Sequence, residues 1–317
     1  MSWEQVALEP AREPTGLGAQ LEALFADQRA RWPALRAGEA ALAGLRTRVL
    51  HEEGTWVVAQ ANPGRRASTQ ARVEPQAIAA RPCFLCPENL PPEERGLPFG
   101  ELVLLPNPFP VLPRHCTVPA RVHAPQRLAG RLECMLALAR ALGPELTVFY
   151  NGPRCGASAP DHAHFQVVAA RAVPLFEQLP LQGLADERRA WESFGRRMLL
   201  AVHRDPRAAR AYLEAALLAL ARLQPGEDEP MLNLFLLARG GRLWSVVFPR
   251  RAHRPACFSA EGAARLSVSP AALEMAGVLV VPEPEQLDRL DAAAARAIYA
   301  EVCLEAGPFA RLAEELA

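Results

Sequence analysis

NGPRCGASAPDHAHFQ, residues 151–166, runs from a glycine-rich loop into a row of polar side chains and then directly into apolar Val167 and Val168. If AHFQVV is extended, its side chains alternate between the two faces of a strand. His162, His164 and Gln166 then share one face, each two residues from the next. An imidazole in such a row serves in one of two ways, as a nucleophile toward phosphorus or as a metal ligand. The small residues upstream, with Gly156 and Ser158, form a loop whose backbone N–H groups and hydroxyl suit phosphate oxygens. The alternative, two ordinary histidines with local partners, leaves three polar side chains in one row beside a valine pair without a reason.

Outward from this stretch the chain reads as strands covered by helices. ELTVFYNG (145–152) is a strand and turn, and Gln126 to Leu142 has helical periodicity that Gly143–Pro144 ends. ELVLLPNPFPVLPRHCTVPARVH (101–123) reads as two strands joined by the tight Pro106–Pro110 connection, after the proline-rich RPCFLCPENLPPEERGLPFG (81–100). TRVLHEEGTWVVAQ (47–60) is strand material turned at Glu53–Gly54, with ANPGRRAST (61–69) as a loop. Residues 1–46 form a helical preface, with GLGAQLEALFADQRARW (16–32) followed by a second short helix from Pro33. Downstream, residues 184–200 and 206–223 read as helices. MLNLFLLARGGRLWSVVFPRRAHRP (231–255) reads as two strands about Gly240–Gly241, and EPEQLDRLDAAAARAIYAEVCLEA (283–306) as a closing helix. Both 102–123 and 231–255 run strand, turn, strand, then proline, arginine and histidine, which suggests an internal duplication.

The expected architecture is therefore α+β, a sheet with packed helices. It divides into a preface (1–46), a catalytic half (47–183) and a degenerate second half ending in a helix (184–317). Half of the 317 residues are hydrophobic, so a packed interior is available and wholesale disorder is excluded. The 30 prolines favour stiff loops and short elements. With 35 basic and 35 acidic residues there is no global field to attract nucleic acid or an anionic membrane, and an anionic ligand needs a local cluster. No run of 18 apolar residues occurs, and the seven cysteines, an odd number spread along the chain, suit a reducing cytoplasm.

Cys83 and Cys86 have two residues between them, the spacing that lets both thiolates reach one tetrahedral metal; redox use and an inert pair are the other readings. Further ligands would come from among His115, His123 and His162. Cys116, Cys134, Cys155, Cys257 and Cys303 read as small hydrophobes, with Cys155 alone near the histidine pair. Guanidinium forks for phosphate are available at Arg65 and Arg66, at Arg154 in the glycine loop, and at Arg250, Arg251 and Arg254.

Read together, these residues resemble the histidine triad superfamily. Within it they are most similar to the branch of galactose-1-phosphate uridylyltransferase, diadenosine tetraphosphate phosphorylase (ATP adenylyltransferase) and the GDP-hexose phosphorylases. The likeness covers residues 47–170 and, faintly, 230–258, and it rests on NG-(x)3-GAS-(x)3-HAHFQ, PNPFPVLPRHCTVP and Asn-Pro-x-Arg at 62–65, with Asp161 a departure from the pattern. The resemblance implies an antiparallel half-barrel sheet with packed helices, duplicated in degenerate form. It implies His164 as nucleophile, Ser158 and Gln166 at the α-phosphate, Asn107 at the sugar, and Asn151 fixing the phosphate or the loop. It also implies a structural zinc on Cys83, Cys86, His123 and His162, the His115-(x)7-His123 spacing favouring His123. With Arg65, Arg154, Arg250 and Arg254 as substrate contacts, the implied activity is transfer of a nucleotidyl group to phosphate or a phosphorylated acceptor through a nucleotidyl-histidine. Nucleotide hydrolysis and silent nucleotide binding are the alternatives. The implied partners are a small nucleotide with phosphate or sugar phosphate, neither nucleic acid nor membrane, and the protein is expected as a monomer or homodimer.

Overall fold

The computed structural model of the chain describes residues 1–8, 16–179 and 186–317. Among these residues twelve strands form two sheets. In chain order they are β1 (Thr47–Glu52), β2 (Thr55–Ala61), β3 (Leu97–Phe99), β4 (Leu102–Pro106), β5 (Cys116–Pro119) and β6 (Leu146–Asn151). They continue with β7 (His164–Ala169), β8 (Arg188–Ser193), β9 (Arg196–His203), β10 (Leu232–Arg239), β11 (Arg242–Pro249) and β12 (Val278–Val281). Nine of them make one antiparallel sheet in the order β3-β4-β5-β7-β6-β10-β11-β9-β8. The others form a small mixed sheet, β1-β2-β12, in which β12 runs parallel to β2.

The period-two pattern of the central strands divides the core. On β6, Val148 and Tyr150 face one apolar cluster while Phe149 faces the other; on β10, Leu234 and Leu236 oppose Phe235. The first face is covered by α1 (Leu17–Arg31), α3 (Leu132–Leu142), α4 (Pro206–Leu223) and α6 (Ala306–Glu315), with α2 (Pro33–Ala43) following α1. The second is covered by the small sheet and α5 (Ala292–Val302). Helix α2 lies against the loop after β4 so closely that a Cβ on Gly38 would stand 1.9 Å from the Pro108 carbonyl oxygen.

Several sequence expectations are corrected. Residues 188–203 are a β-hairpin, not helix: the two-residue turn Phe194–Gly195 takes left-handed φ of 55° and 73°, and the apolar run MLLAV pairs with β11. A short apolar run carries no period that separates strand from helix. The connection between β4 and β5 spans residues 107–115, longer than Pro106–Pro110. The helix expected from Gln126 begins at Leu132, which frees Gln126 for another task. The closing helix is broken at Leu290, with a 3-10 segment before Asp291 caps α5. The Gly240–Gly241 hairpin turn is present, both glycines at positive φ. Strands from 188–249 continue the large sheet through the β6–β10 pairing and do not fold into a second half-barrel. The sheet is open, with β3 and β8 at its edges. The 183/184 boundary lies outside the described residues. No helix among the described residues is long and apolar enough to cross a membrane.

Candidate active site

A cleft of about 880 Å³ opens on the second face of the large sheet, a size suited to a small-molecule ligand. Its floor is built by period-two pairs at or beside four neighbouring strands: Leu105 and Asn107, His115 and Thr117, His164 and Gln166, Phe149 and Asn151. The register aligns Leu105 with Thr117, Thr117 with Gln166, and Gln166 with Phe149, so these four form one row across the sheet.

His164, 6% exposed, is held at both ends. Its backbone N–H donates to Gln126 Oε1 (2.7 Å), and Gln126 Nε2 donates to the carbonyls of Asn151 and His164 (2.9 Å each), clamping β6 to β7 where the glycine loop leaves. Its ring Nδ1 lies 2.8 Å from the His162 carbonyl oxygen, which accepts only from a protonated nitrogen. The Nε2 lone pair is thereby the free one. Burial holds the ring's pKa down at about 4, so the imidazole is neutral and nucleophilic near pH 7.

Gln166 is oriented by His115, which the sequence offered only as a possible metal ligand. The Val111 N–H donates to His115 Nδ1 (3.1 Å), which places the proton of this neutral ring on Nε2; that N–H donates to Gln166 Oε1 at 2.7 Å. Burial, with Arg65 nearby, depresses the His115 pKa to about 3 and keeps the ring neutral. With Oε1 engaged, the Gln166 amide N–H2 is the end left for a ligand. On the sequence expectation that Gln166 contacts the α-phosphate, replacing His115 with Phe should leave the fold intact and lower kcat about 100-fold with a smaller change in KM. Steady-state kinetics with a normal kcat would show that His115 does not position Gln166.

Asn151 is fixed in the same manner. Its Oδ1 accepts from Asn233 Nδ2 (2.9 Å) and from the Ala272 N–H (2.7 Å), leaving its own N–H2 for the cleft. Asn233 in turn accepts from Arg250 (2.6 Å). Gly156 carries φ of 95°, and a Cβ there would sit 2.3 Å from that of Ala271, so the loop bearing Ser158 requires glycine.

Of the sequence candidates, Arg65, Asn107, Asn151, Ser158, His164, Gln166 and Arg254 line the cleft. Arg254 donates to the Thr69 and Ala71 carbonyls and to Ser269, and its guanidinium stacks 4.1 Å from the Phe258 ring centroid, tying the 66–73 segment, which begins with a helical turn where a loop was expected, to the 254–269 region. Arg154 and Arg250 do not reach the cleft. Arg154 is exposed and paired with Glu227, while Arg250 is fully buried and committed to carbonyl oxygens and Asn233. Cys155 is also buried outside the lining, and burial pushes its thiol up to about 12, which removes it as a nucleophile. Cleft residues the sequence reading missed include Arg81, which pairs with Asp161 (3.0 Å) and donates to the Ser158 carbonyl, and His253.

His162 precedes β7 and does not share the face of His164. The turn at Pro160–Asp161 swings its ring toward Cys83, Cys86 and His123, where the four ligand atoms lie within 4.8 Å of one another. Cys83 Sγ and Cys86 Sγ stand 3.2 and 3.6 Å from His162 Nδ1, and Cys86 Sγ stands 3.2 Å from His123 Nδ1. His162 Nε2 faces the Ala120 carbonyl at 2.8 Å, so the proton belongs there and Nδ1 keeps its lone pair for the cluster. These separations approach the edges of a tetrahedron with bonds of about 2.0–2.3 Å, and two thiols with two imidazoles are a donor set compatible with a metal ion.

Residues 24–169 match a family model described as a domain of unknown function, DUF4922. No curated protein matches the chain. Among solved structures, yeast Ap4A phosphorylase Apa2 is similar at 17% identity and a TM-score of 0.62, covering 93% of this chain and 98% of that one. Its complex with Ap4A gives 16% and 0.60 over 92% and 99%, and its complex with AMP gives 18% and 0.60 over 90% and 96%. At this identity the likeness establishes the fold alone, an α+β arrangement resembling that of Ap4A phosphorylase.

Proposed function

We propose that this fold and cleft serve nucleotidyl transfer through a covalent intermediate on His164. The observation that carries the reading is the ring's fixed tautomer: Nδ1–H is spent on the His162 carbonyl, and a neutral Nε2 is left for the cleft beside the Gln166 and Asn151 amides. The Nε2 lone pair attacks the α-phosphorus and a P–N bond forms. The P–O bond to the leaving group breaks, and that group departs as a nucleotide or sugar phosphate. A phosphate oxygen of the second substrate then attacks the same phosphorus, the P–N bond breaks, and the neutral imidazole returns. Gln166, Asn151 and the Ser158 hydroxyl donate to the non-bridging oxygens, and the His162 carbonyl stabilises the positive charge that the ring acquires. Arg65 and Arg254 supply positive charge along the polyphosphate.

Gln166 stands beside the nucleophile, and its neutral amide neither protonates a leaving group nor takes a proton from attacking water, as a third histidine could, so phosphate or a phosphorylated acceptor is favoured over hydrolysis. Incubation with a panel of nucleoside polyphosphates and nucleotide sugars tests this. The expected product with inorganic phosphate is a nucleoside diphosphate, formed well above the rate of nucleoside monophosphate release in its absence. Equal monophosphate release with and without phosphate would make the protein a hydrolase.

Zinc is the proposed occupant of the four-ligand cluster, with a structural part only. Bound, it would neutralise the Cys83 and Cys86 thiolates, whose pKa values burial raises, and would anchor His162, whose carbonyl orients the nucleophile. Protein purified without chelator is expected to carry about one equivalent of zinc by elemental analysis. Cys83→Ser should lower that content severalfold and the rate about 10- to 100-fold. Less than a tenth of an equivalent in the wild-type protein would rule the zinc out.

A further inference from the structure

The cleft extends past Asn107 into an arm that the phosphate chemistry does not use. Trp32, at the junction of α1 and α2, lines it together with Leu90, Pro91, Leu105 and Glu94. Leu90 and Leu105 belong to one apolar cluster. Along the sheet this arm lies two strands from Gln166, a separation of roughly 10 Å and the scale of a nucleoside monophosphate. Glu94 is 6% exposed, and no hydrogen bond or ion pair among the described residues acts on its carboxylate. Its neighbour Arg95 is turned away, donating to the Pro92 and Glu94 carbonyls.

A buried charge without a partner is costly, and burial alone pushes the Glu94 carboxyl up to about 8. The turn that carries it is nevertheless held rigidly. Buried Gln28 of α1 donates to the Glu93 carbonyl (3.2 Å) and accepts from the Arg95 N–H (2.9 Å), clasping Glu94 from both sides. A fixed, unpaired acceptor at the end of an apolar arm awaits donors from a ligand.

We propose that this arm is a purine-base subsite in which Glu94 selects guanine. The inference rests on the nucleotidyl-transfer reading for the placement of phosphate and sugar. Guanine presents two adjacent donors, N1–H and N2–H2, which match the two oxygens of an ionised carboxylate. Adenine offers N6–H2 beside the N1 acceptor and pairs only with the protonated acid. Ionising Glu94 at pH 7 costs about tenfold, given a pKa of about 8. Charge-assisted hydrogen bonds are roughly twice as strong as neutral ones, and two of them outweigh that cost. Trp32, Leu90 and Leu105 supply the apolar walls for the ring faces.

Calorimetric binding of GMP and AMP to the full-length protein at pH 8.5 tests the assignment. GMP is expected to bind about 10- to 100-fold more tightly than AMP. Glu94→Gln exchanges one acceptor for a donor at nearly constant volume, and the preference should invert toward AMP. Equal affinities in the wild-type protein, an unchanged GMP/AMP ratio in a folded Glu94→Gln variant, or no binding of either nucleotide would overturn the inference. Failure of the transfer reading has a different signature: the preference persists, yet no nucleotidyl adduct forms with GTP or with a GDP-sugar.

Discussion

His164→Asn should abolish turnover, with a loss on the order of 10^4-fold or more, while nucleotide affinity and thermal stability stay close to wild type. Asparagine keeps a short polar side chain on β7 and removes the nitrogen that would form the P–N bond. The Gln126 clamp acts on the His164 backbone, so it survives the substitution. His162→Asn should behave differently, losing zinc and stability as well as rate, because its ring points at the cysteine pair. Rapid-quench kinetics with calorimetry on both variants separates the two roles. A His164→Asn protein with more than a few per cent of wild-type turnover would place the chemistry elsewhere.

The second large effect is expected at Arg250, as a loss of stability. This side chain is fully buried and has no carboxylate partner among the described residues. It donates to the carbonyls of Val302, Pro270, Ala252 and His253 and to Asn233 Oδ1. Through Asn233 it fixes the Asn151 amide, and through the 252–253 and 270 carbonyls it fixes the wall that carries His253 and Ala271. Arg250→Met fills similar space without donors and strands several buried acceptors, each costing about 1–3 kcal/mol. A total of about 3–5 kcal/mol, or roughly 10 °C in melting temperature, is expected by thermal denaturation. Arg250→Lys, with three donors, should recover part of it. A melting temperature unchanged in Arg250→Met would show that the network carries no net stability.

The two features readable in the sequence are those encoded by local spacing. Cys83 and Cys86, with two residues between them, can meet at one point, and His164 and Gln166, two apart on a strand, must face one way. His162 was misplaced because the face argument assumed that the strand began before it; the turn at Pro160–Asp161 delays β7 to His164. Arg154 and Arg250 illustrate a different limit: a guanidinium in a sequence does not show whether its donors meet solvent, a carboxylate such as Glu227, or carbonyls of the chain. Residues that act only through long-range contacts were silent. Asn233 lies 82 residues from Asn151, and Glu94 reaches the cleft because Gln28, in the helical preface, clasps its turn. Strand β12 was missed since VLVV is too short to show a period, and its pairing with β2 is 220 residues distant. The 188–203 hairpin was read as helix for the same lack of period.

The central claim, that His164 carries the transferred group, is tested most directly by locating the group. Cleavage after Arg154 and Arg171 yields one peptide, residues 155–171, that contains Cys155, Ser158, His162 and His164 together. Protein labelled with the nucleotide that gives an adduct, digested at alkaline pH to preserve an acid-labile P–N bond, should show the nucleoside monophosphate mass on this peptide, with fragment ions assigning it to His164. The same mass on His162, Cys155 or Ser158, or on any peptide outside 155–171, would contradict the account.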